Sequence, residues 1–590
     1  MAFLVSGTNT MTAGGSSLPC LIFEDEHLLV VNKPAGLNTH SPSPYAGEGL
    51  FDWLRHRESP WDRLAIIHRL DKETSGLIAF AKTPLANRQL TEQFTQRTVL
   101  KKYLFLTDHD SPETAFTVKT SLVRAGEKYV ARPPHAGAEI AETKFRKLGA
   151  WQAQKRSSKQ ADFLLFEAEP LTGRTHQIRV HAALKGFPVL GDTLYGGTAA
   201  DRVYLHAAEL TLQHPDRGQM TFHAPIDFEA DPRMMLRTAL LDTDSNNAFR
   251  LIHGATDGWP GSYADLLGNF VIVESEQSPE GKQLEKLKQL MAARSVQGVY
   301  YKKLRRRVGT ATQAESSPQL LLGQAAPGPF TIRENGLTFE LSFKEGYSVG
   351  LFLDQRDNRR RLLTGHVAAG WPLISKGGTL RTPPPASLSP SDGERAGVRG
   401  RFSENALSLS PSDGLRGLEV LNAFAYTCGF SVCAATAEAR TTSLDLSKKY
   451  LEWGRRNFAL NGLDPAGHDF IYGDVFDWFA RLAKKHRSFH VILLDPPTFS
   501  RSKESGMFHA KKDYGKLVKA ALPLLKPEGT LFLSTNAADW SAEDFLATIE
   551  HTIKATHRKV LHRHYVPQPP DFPISRAEPA YLKTVWLHVS

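Results

Sequence analysis

His68-Arg69-Leu70-Asp71-Lys72-Glu73-Thr74-Ser75-Gly76-Leu77 sets one carboxylate, Asp71, close to the guanidinium of Arg69 and ahead of a small polar turn. An Arg-Leu-Asp string alone is common, and an aspartate after a leucine is usually a solvated turn residue. Its weight comes from what surrounds it. Short β-type runs alternate with turns: Leu28-Leu29-Val30-Val31, then Asn32-Lys33-Pro34-Ala35-Gly36, and later Leu100 to Leu106, Ala141 to Leu148 and Phe163 to Ala168. Many strands with few helices predict a mixed, mostly antiparallel sheet from about Leu21 to Arg233.

The chain has 590 residues, too many for one ordinary core, so several domains are expected. A hydrophobic share of 41% suits packed globular units, and a formal net charge of +10 suits a polyanionic partner. Cys20, Cys428 and Cys433 show neither a pairing pattern nor metal-ligand spacing, so a reducing cytoplasm and no metal are expected. Residues Met1 to Pro19 are rich in Ser, Gly and Thr and lack the basic start and apolar run of a signal peptide; a disordered leader is expected, with Met11 as an alternative start. No apolar run reaches membrane-spanning length.

Two further segments accompany Asp71. Lys101-Lys102-Tyr103-Leu104 brings an aromatic, and Leu171-Thr172-Gly173-Arg174-Thr175-His176-Gln177-Ile178-Arg179-Val180-His181 brings two guanidinium groups. With the Asp71 string these resemble, in order, the motifs of the RluA family of pseudouridine synthases. Val31 to Gly36 and Gly191-Asp192 to Tyr195-Gly196 also look like segments of that family, and the resemblance covers Leu21 to Pro232. It implies that a uridine is extruded from its stack, cut from its ribose and rejoined through carbon 5, with no cofactor. Asp71 would be the catalytic carboxylate, acting as nucleophile or base. Tyr103 would stack on the base and assist proton transfer at carbon 5. Arg69 would fill the space the base leaves. Arg174 is the first choice to pair with Asp71 and Arg179 the reserve. His68, His176 and His181 read as structural hydrogen-bonders.

The second unit, about Leu236 to Glu345, reads as a small α+β module. Phe270 to Glu274 and Gly298 to Tyr301 are strands, and Glu280 to Arg294 is an amphipathic helix with Leu284, Leu287 and Leu290-Met291 on one face. The third unit alternates strand and helix, which predicts a doubly wound parallel sheet. Its strands are Leu418 to Asn422, Arg440 to Leu444, Phe470 to Tyr472, Val491 to Leu494 and Thr530 to Ser534, with a helix over Ser447 to Leu460. Between Lys376 and Arg416, three consecutive prolines and a repeated Ser-Leu-Ser-Pro-Ser-Asp-Gly argue for a disordered insertion. The expected division is a leader over 1–19, a synthase-like unit over 20–235, the central module over 236–345, and a Rossmann-like unit over 346–590 interrupted at 376–416.

In the third unit, Leu418 to Ser431 is an apolar strand entering a turn of small residues and then a helix. Asp445 follows the second strand, where a carboxylate can bind both ribose hydroxyls of a nucleoside. Gly473-Asp474-Val475-Phe476 follows the third strand, and Asp495-Pro496-Pro497-Thr498-Phe499-Ser500-Arg501-Ser502-Lys503 the fourth, with paired prolines fixing the backbone. Phe352 to Arg359 precedes them. Together they resemble the class I S-adenosylmethionine (SAM) methyltransferases of large-subunit ribosomal RNA, of the RlmI and RlmKL type. The resemblance runs from Asn247 to the end, the insertion excepted. It implies SAM held by Asn422, Phe424, Ala425, Tyr426, Asp445, Asp474, Val475, Asp495, Pro496 and Gln355.

Methylation of cytosine carbon 5 would need a thiolate nucleophile. No cysteine follows Cys433, and Asn536 stands near where one would be expected. Guanine N7 carries an in-plane lone pair and needs only positioning, and is the preferred acceptor. The expected protein is thus a bifunctional RNA-modifying enzyme of the cytoplasm. It would act on RNA, with large-subunit ribosomal RNA first, and show no obligate protein partner. The alternatives are a working synthase with an RNA-binding or inactive methyltransferase-like half, a cytosine carbon-5 methyltransferase, and a non-enzymatic RNA-gripping assembly factor.

Overall fold

The computed structural model describes residues 18–134, 139–151, 163–304, 316–345, 348–373, 415–502 and 506–590. The expected leader and insertion lie outside the described residues, save Leu18, Pro19, Leu415 and Arg416.

The first third forms an eleven-stranded sheet among the described residues. Along its main path the strands run Leu21–Glu24, Leu28–Lys33, Ser75–Ala81, Leu205–His214, Leu100–Thr107, Leu164–Pro170, Ile140–Ala150, Ala115–Ala125 and Lys128–Arg132. Ser75–Ala81 and Leu205–His214 are parallel; every other adjacent pair is antiparallel, as the alternation of runs and turns predicts. The register is the useful part. Ala207 lies opposite Gly76 on one side and Tyr103 on the other. The strand that follows Asp71 and the strand that carries Tyr103 therefore flank one shared strand. Gly76 is required there: its φ is +114°, and a Cβ would lie 2.3 Å from the Ala207 carbonyl oxygen.

The central module orders its strands Ala248–His253, Ser262–Leu267, Phe270–Ser275, Gly298–Lys303 and Gln319–Gly323. Helix Gly281–Arg294 makes the crossover between the parallel pair Phe270–Ser275 and Gly298–Lys303, burying Leu287. A hairpin, Phe330–Glu334 with Leu337–Leu341, follows. Ala248, Phe270, Ile332 and Phe339 share one core with Val420, Phe532 and Trp586 of the last unit. Helix Pro232–Ala239 runs across residue 235, and Ala239 accepts a backbone hydrogen bond from Cys20 at 3.1 Å.

The last unit is a seven-stranded doubly wound sheet in the order Asp469–Tyr472, Arg440–Asp445, Glu419–Ala423, Phe489–Leu494, Leu525–Thr535, Lys583–Val589 and Val560–Val566. The first five are mutually parallel; Lys583–Val589 runs antiparallel to Leu525–Thr535, and Val560–Val566 runs antiparallel to Lys583–Val589. The five strands read from sequence are its parallel part. Ser447 caps helix Lys448–Leu460 by accepting from the Tyr450 amide at 3.2 Å. Among the described residues no helix is long and apolar enough to cross a membrane.

The first and last units touch. Helix Leu50–Arg57 packs on helix Arg356–Thr364. The Trp53 indole donates to Asp357 Oδ2 at 3.1 Å, the His366 ring lies 3.0 Å from the Arg55 carbonyl, and Arg360 pairs with Glu58. The rings of His56 and His564 meet edge-on at 4.3 Å.

Candidate functional sites

Asp71 lies in the loop entering Ser75–Ala81, and its carbonyl accepts from Thr74 to close a turn. The backbone of that loop is pinned from below. Buried Lys33 donates to the carbonyls of Pro34, Leu37 and Lys72, and the Gly36 amide also donates to Lys72 O. Burial pulls the Lys33 ammonium down to about 7, against the opposing pull of Asp71 and Glu73. Asn32 to Gly36, read from sequence as a turn, is thus the clamp on the Asp71 loop.

The guanidinium that reaches Asp71 belongs to Arg179, with Nη1 3.6 Å from Asp71 Oδ2 and 3.6 Å from Glu73. Sequence put Arg174 first. Arg174 pairs instead with Glu139 at 2.6 Å. The reason is helical geometry: Arg179 is inside helix Gln177–Leu184, which faces the sheet, whereas Arg174 precedes it. Buried Asp192 grips Arg179 in a two-pronged ion pair, Nε to Oδ2 at 2.6 Å and Nη2 to Oδ1 at 2.8 Å. That fork leaves Nη1 to face Asp71. The sequence signals Asp192 only through the family-like segment Gly191-Asp192 to Tyr195-Gly196, which does not reveal its hold on Arg179.

Arg69 is exposed beside the site. Tyr103 is half-buried, and burial together with the Asp71 charge drives its hydroxyl well above the usual phenol range, so it stays protonated. His68 and His181 serve structure. His68 accepts from the Ala79 amide at 3.0 Å, and His181 sits between Thr120 and Thr143, each 2.9 Å away. His176 differs from that reading. Its Nε2 is 3.8 Å from Asp71 Oδ2, while its Nδ1 is 2.7 Å from the Tyr195 hydroxyl. Its left-handed backbone, φ 56°, aims the ring there.

In the last unit the turn after Glu419–Ala423 puts Phe424, Tyr426 and Cys428 at φ 61°, 48° and 64°. Alternating left-handed residues without glycine explain why the loop looked glycine-poor. Asp445 closes the turn from the next strand: Oδ2 accepts from the Tyr426 amide and Oδ1 from the Ser447 amide, both at 2.8 Å. Burial raises its carboxyl despite those bonds. Asn422 donates to Ser431 Oγ at 2.9 Å, and the Ala425 amide donates to Leu444. Asp474 caps helix Val475–Lys484 through the amides of Phe476 and Asp477.

A pocket opens here, lined by Phe424, Leu446, Asp474, Val475, Phe476 and, from a hairpin above, Ser500, Ser502, Gly506 and Phe508. Aromatic and aliphatic walls with one carboxylate suit an adenine ring, and Asp445 lies one residue from Leu446, where ribose hydroxyls can donate. The residues fit the nucleoside of SAM, which supplies the methyl group when bound. Hairpin strands Phe499–Ser502 and Gly506–His509 form part of the wall that the sequence reading missed.

Asp495 follows Phe489–Leu494, with Pro496 buried next to it. Burial pushes the Asp495 carboxyl up to about 6. Gln355 Nε2 donates to Asp495 Oδ2 at 3.2 Å and to Ser534 Oγ at 2.8 Å. Gln355 is held in turn by Asn358. Thr498 donates to Asn536 Oδ1 at 2.6 Å, bringing the ends of strands four and five of the parallel run together. Cys428 and Cys433 are fully buried, and burial raises both thiols to about 12.

Comparison with known proteins matches both halves. The family model "RNA pseudouridylate synthase" matches residues 27–184, and "S-adenosylmethionine-dependent methyltransferase" matches residues 411–587. A ribosomal RNA large subunit methyltransferase of Deinococcus radiodurans is 30% identical over 359 residues, 60% of this chain and 74% of that protein. An uncharacterized RNA pseudouridine synthase of Bacillus subtilis is 34% identical over 223 residues, 37% of this chain and 71% of that protein. A ribosomal large subunit pseudouridine synthase C of Yersinia pestis is 35% identical over 222 residues, 35% of this chain and 66% of that one. The chain therefore belongs to the RNA pseudouridine synthases through its first unit and to the SAM-dependent methyltransferases through its last.

Proposed function

We propose that this protein isomerises a uridine and methylates a guanine at N7 in large-subunit ribosomal RNA, in the cytoplasm. The named relatives of both halves act on that RNA or carry its name, and the net charge of +10 suits it. The division of labour follows the expected units, 20–235 for isomerisation and 346–590 for methyl transfer, with 236–345 between them.

In the first site Asp71 is the catalytic carboxylate. Arg179, oriented by Asp192, presents Nη1 to it and fixes its position. Tyr103, protonated and beside Asp71, stacks on the extruded base, and Arg69 at the rim takes its place in the helix. Arg174 serves the outer wall. In the second site Asn422, Phe424, Ala425, Tyr426, Asp445, Asp474 and Val475 hold the nucleoside and methionine parts of SAM. Gln355, Asp495 and Pro496 shape the acceptor side.

The observation that carries the choice of N7 is the state of the thiols. Carbon-5 attack needs a thiolate at the acceptor. Both cysteines of this unit are buried with thiols near 12, and Asn536 stands beside the Asp-Pro-Pro loop. A ring nitrogen with its own lone pair needs neither. The test is incubation of unmodified large-subunit ribosomal RNA with the protein, with and without SAM, followed by nucleoside mass spectrometry. Pseudouridine in both samples and 7-methylguanosine only with SAM is expected. 5-Methylcytidine would overturn the N7 assignment; pseudouridine alone would overturn the methyl-transfer assignment.

A further inference from the structure

The hairpin over the nucleoside pocket has two unlike faces. Ser500, Ser502 and Phe508 point inward and line the pocket. Strand alternation sends the neighbours outward: Phe499 lies opposite His509, and Arg501 opposite Met507. Met507 is 70% exposed and Phe499 59%, the two highest values among the large exposed hydrophobic residues described. Arg501 is also exposed, with no carboxylate paired to it among the described residues. The His509 ring stands edge-on to Phe499 at 4.3 Å and props it upright.

Folding alone does not account for this face. A two-stranded hairpin is marginal in water, and its outward apolar side chains bury little. An upright aromatic with a neighbouring guanidinium is the usual platform for an unstacked base and its phosphate. The hairpin also begins two residues after Pro497, so the platform adjoins the acceptor side of the methyl-transfer site.

We propose that Phe499, Arg501 and Met507 form a docking face for single-stranded RNA next to the methylated base. Phe499 stacks on a flanking nucleobase, Met507 packs on its edge, and Arg501 meets the backbone phosphate. The proposal rests on the methyl-transfer reading above and names how that site takes its substrate. Charge complementarity to a polyanion selects RNA over a second copy of this basic chain.

The experiment compares the full-length protein with F499A, F499W and M507A. The KM for RNA should rise about tenfold in F499A, while the KM for SAM stays within about twofold and F499W recovers most of the loss. Pseudouridine yield should not change. Ultraviolet crosslinking of 4-thiouridine-substituted RNA should label the 499–509 peptide in the wild type. An unchanged KM for RNA in F499A overturns the proposal, as does an equal rise in the KM for SAM, which would make the face a support of the pocket. Light scattering that finds a dimer broken by F499A, with no crosslink, also overturns it. If the wild type methylates no RNA, the methyl-transfer reading fails instead, and the crosslink still decides the face.

Discussion

At Asp71 the deciding contact is one guanidinium among two candidates. Arg179 reaches it through Nη1 while Asp192 holds Nε and Nη2. R179K keeps the charge and loses the fork, so pseudouridine formation should fall by about 10²-fold, the scale of an ångström-sized misplacement. R174A should retain most of the rate, because its partner is Glu139; equal losses in single-turnover assays would sink this distinction. Both arginines were legible in the motif. Which one reaches Asp71 was not, because the choice depends on where the helix begins. Asp495 carries a second prediction. Its carboxyl is raised to about 6 by burial, so the folded state favours the protonated form. Its burial therefore costs no stability at low pH, and the cost grows as pH rises from the unfolded value through about 6. If the carboxylate orients the acceptor, methyl transfer should lose about tenfold per pH unit below 6, with pseudouridine formation showing no such limb. A flat methyl-transfer profile from pH 5 to 8 would remove Asp495 from that role.

At the scale of elements, the parallel strands and the helix after Asp445 could be read from apolar runs and a serine cap, whereas the hairpin Phe499–Ser502 with Gly506–His509 could not. Its strands are four residues each, and Phe-Ser-Arg-Ser looks like a loop until its alternation is set against a pocket. The loop Phe424 to Cys428 was legible as a small-residue turn, but its strained backbone was not, since only tertiary support keeps three such residues left-handed. Part of that support comes from Gly454 of helix Lys448–Leu460. A Cβ there would lie 2.3 Å from Cys428 Sγ and 2.9 Å from its Cβ. G454A should therefore destabilise the unit by about 1–3 kcal/mol, despite alanine's better helix propensity. Adding C428G removes both clashing atoms and suits φ 64°, so the double variant should recover in urea unfolding and in SAM affinity. Destabilisation that persists in the double variant would mean the contact is not the cause.

On the scale of the whole molecule, two chemistries share a chain whose units are not beads on a string. The central module and the methyltransferase sheet have one core in common, and helix Leu50–Arg57 of the synthase unit lies on helix Arg356–Thr364. That second helix follows directly on Gln355, its N-cap residue and the one bonded to Asp495, and its first turn also receives Trp53 through Asp357. No sequence pattern announces such a junction, because Trp53 and Asp357 are 304 residues apart. The contact joins stabilities rather than reactions: neither Trp53 nor Asp357 reaches Asp71 or the nucleoside pocket. W53F keeps most of the packing but deprives the Asp357 carboxylate of its indole donor, a loss of about 1–3 kcal/mol for a buried acceptor. In calorimetry the wild type should unfold with the units coupled, so that S-adenosylhomocysteine at about 100 times its Kd adds roughly 2.7 kcal/mol and delays synthase melting as well. In W53F the transition should broaden or split, with the ligand shifting only the methyltransferase part, while pseudouridine and methyl-transfer rates at 25 °C stay near wild type. A ligand shift confined to one transition in the wild type would show that the junction carries no coupling.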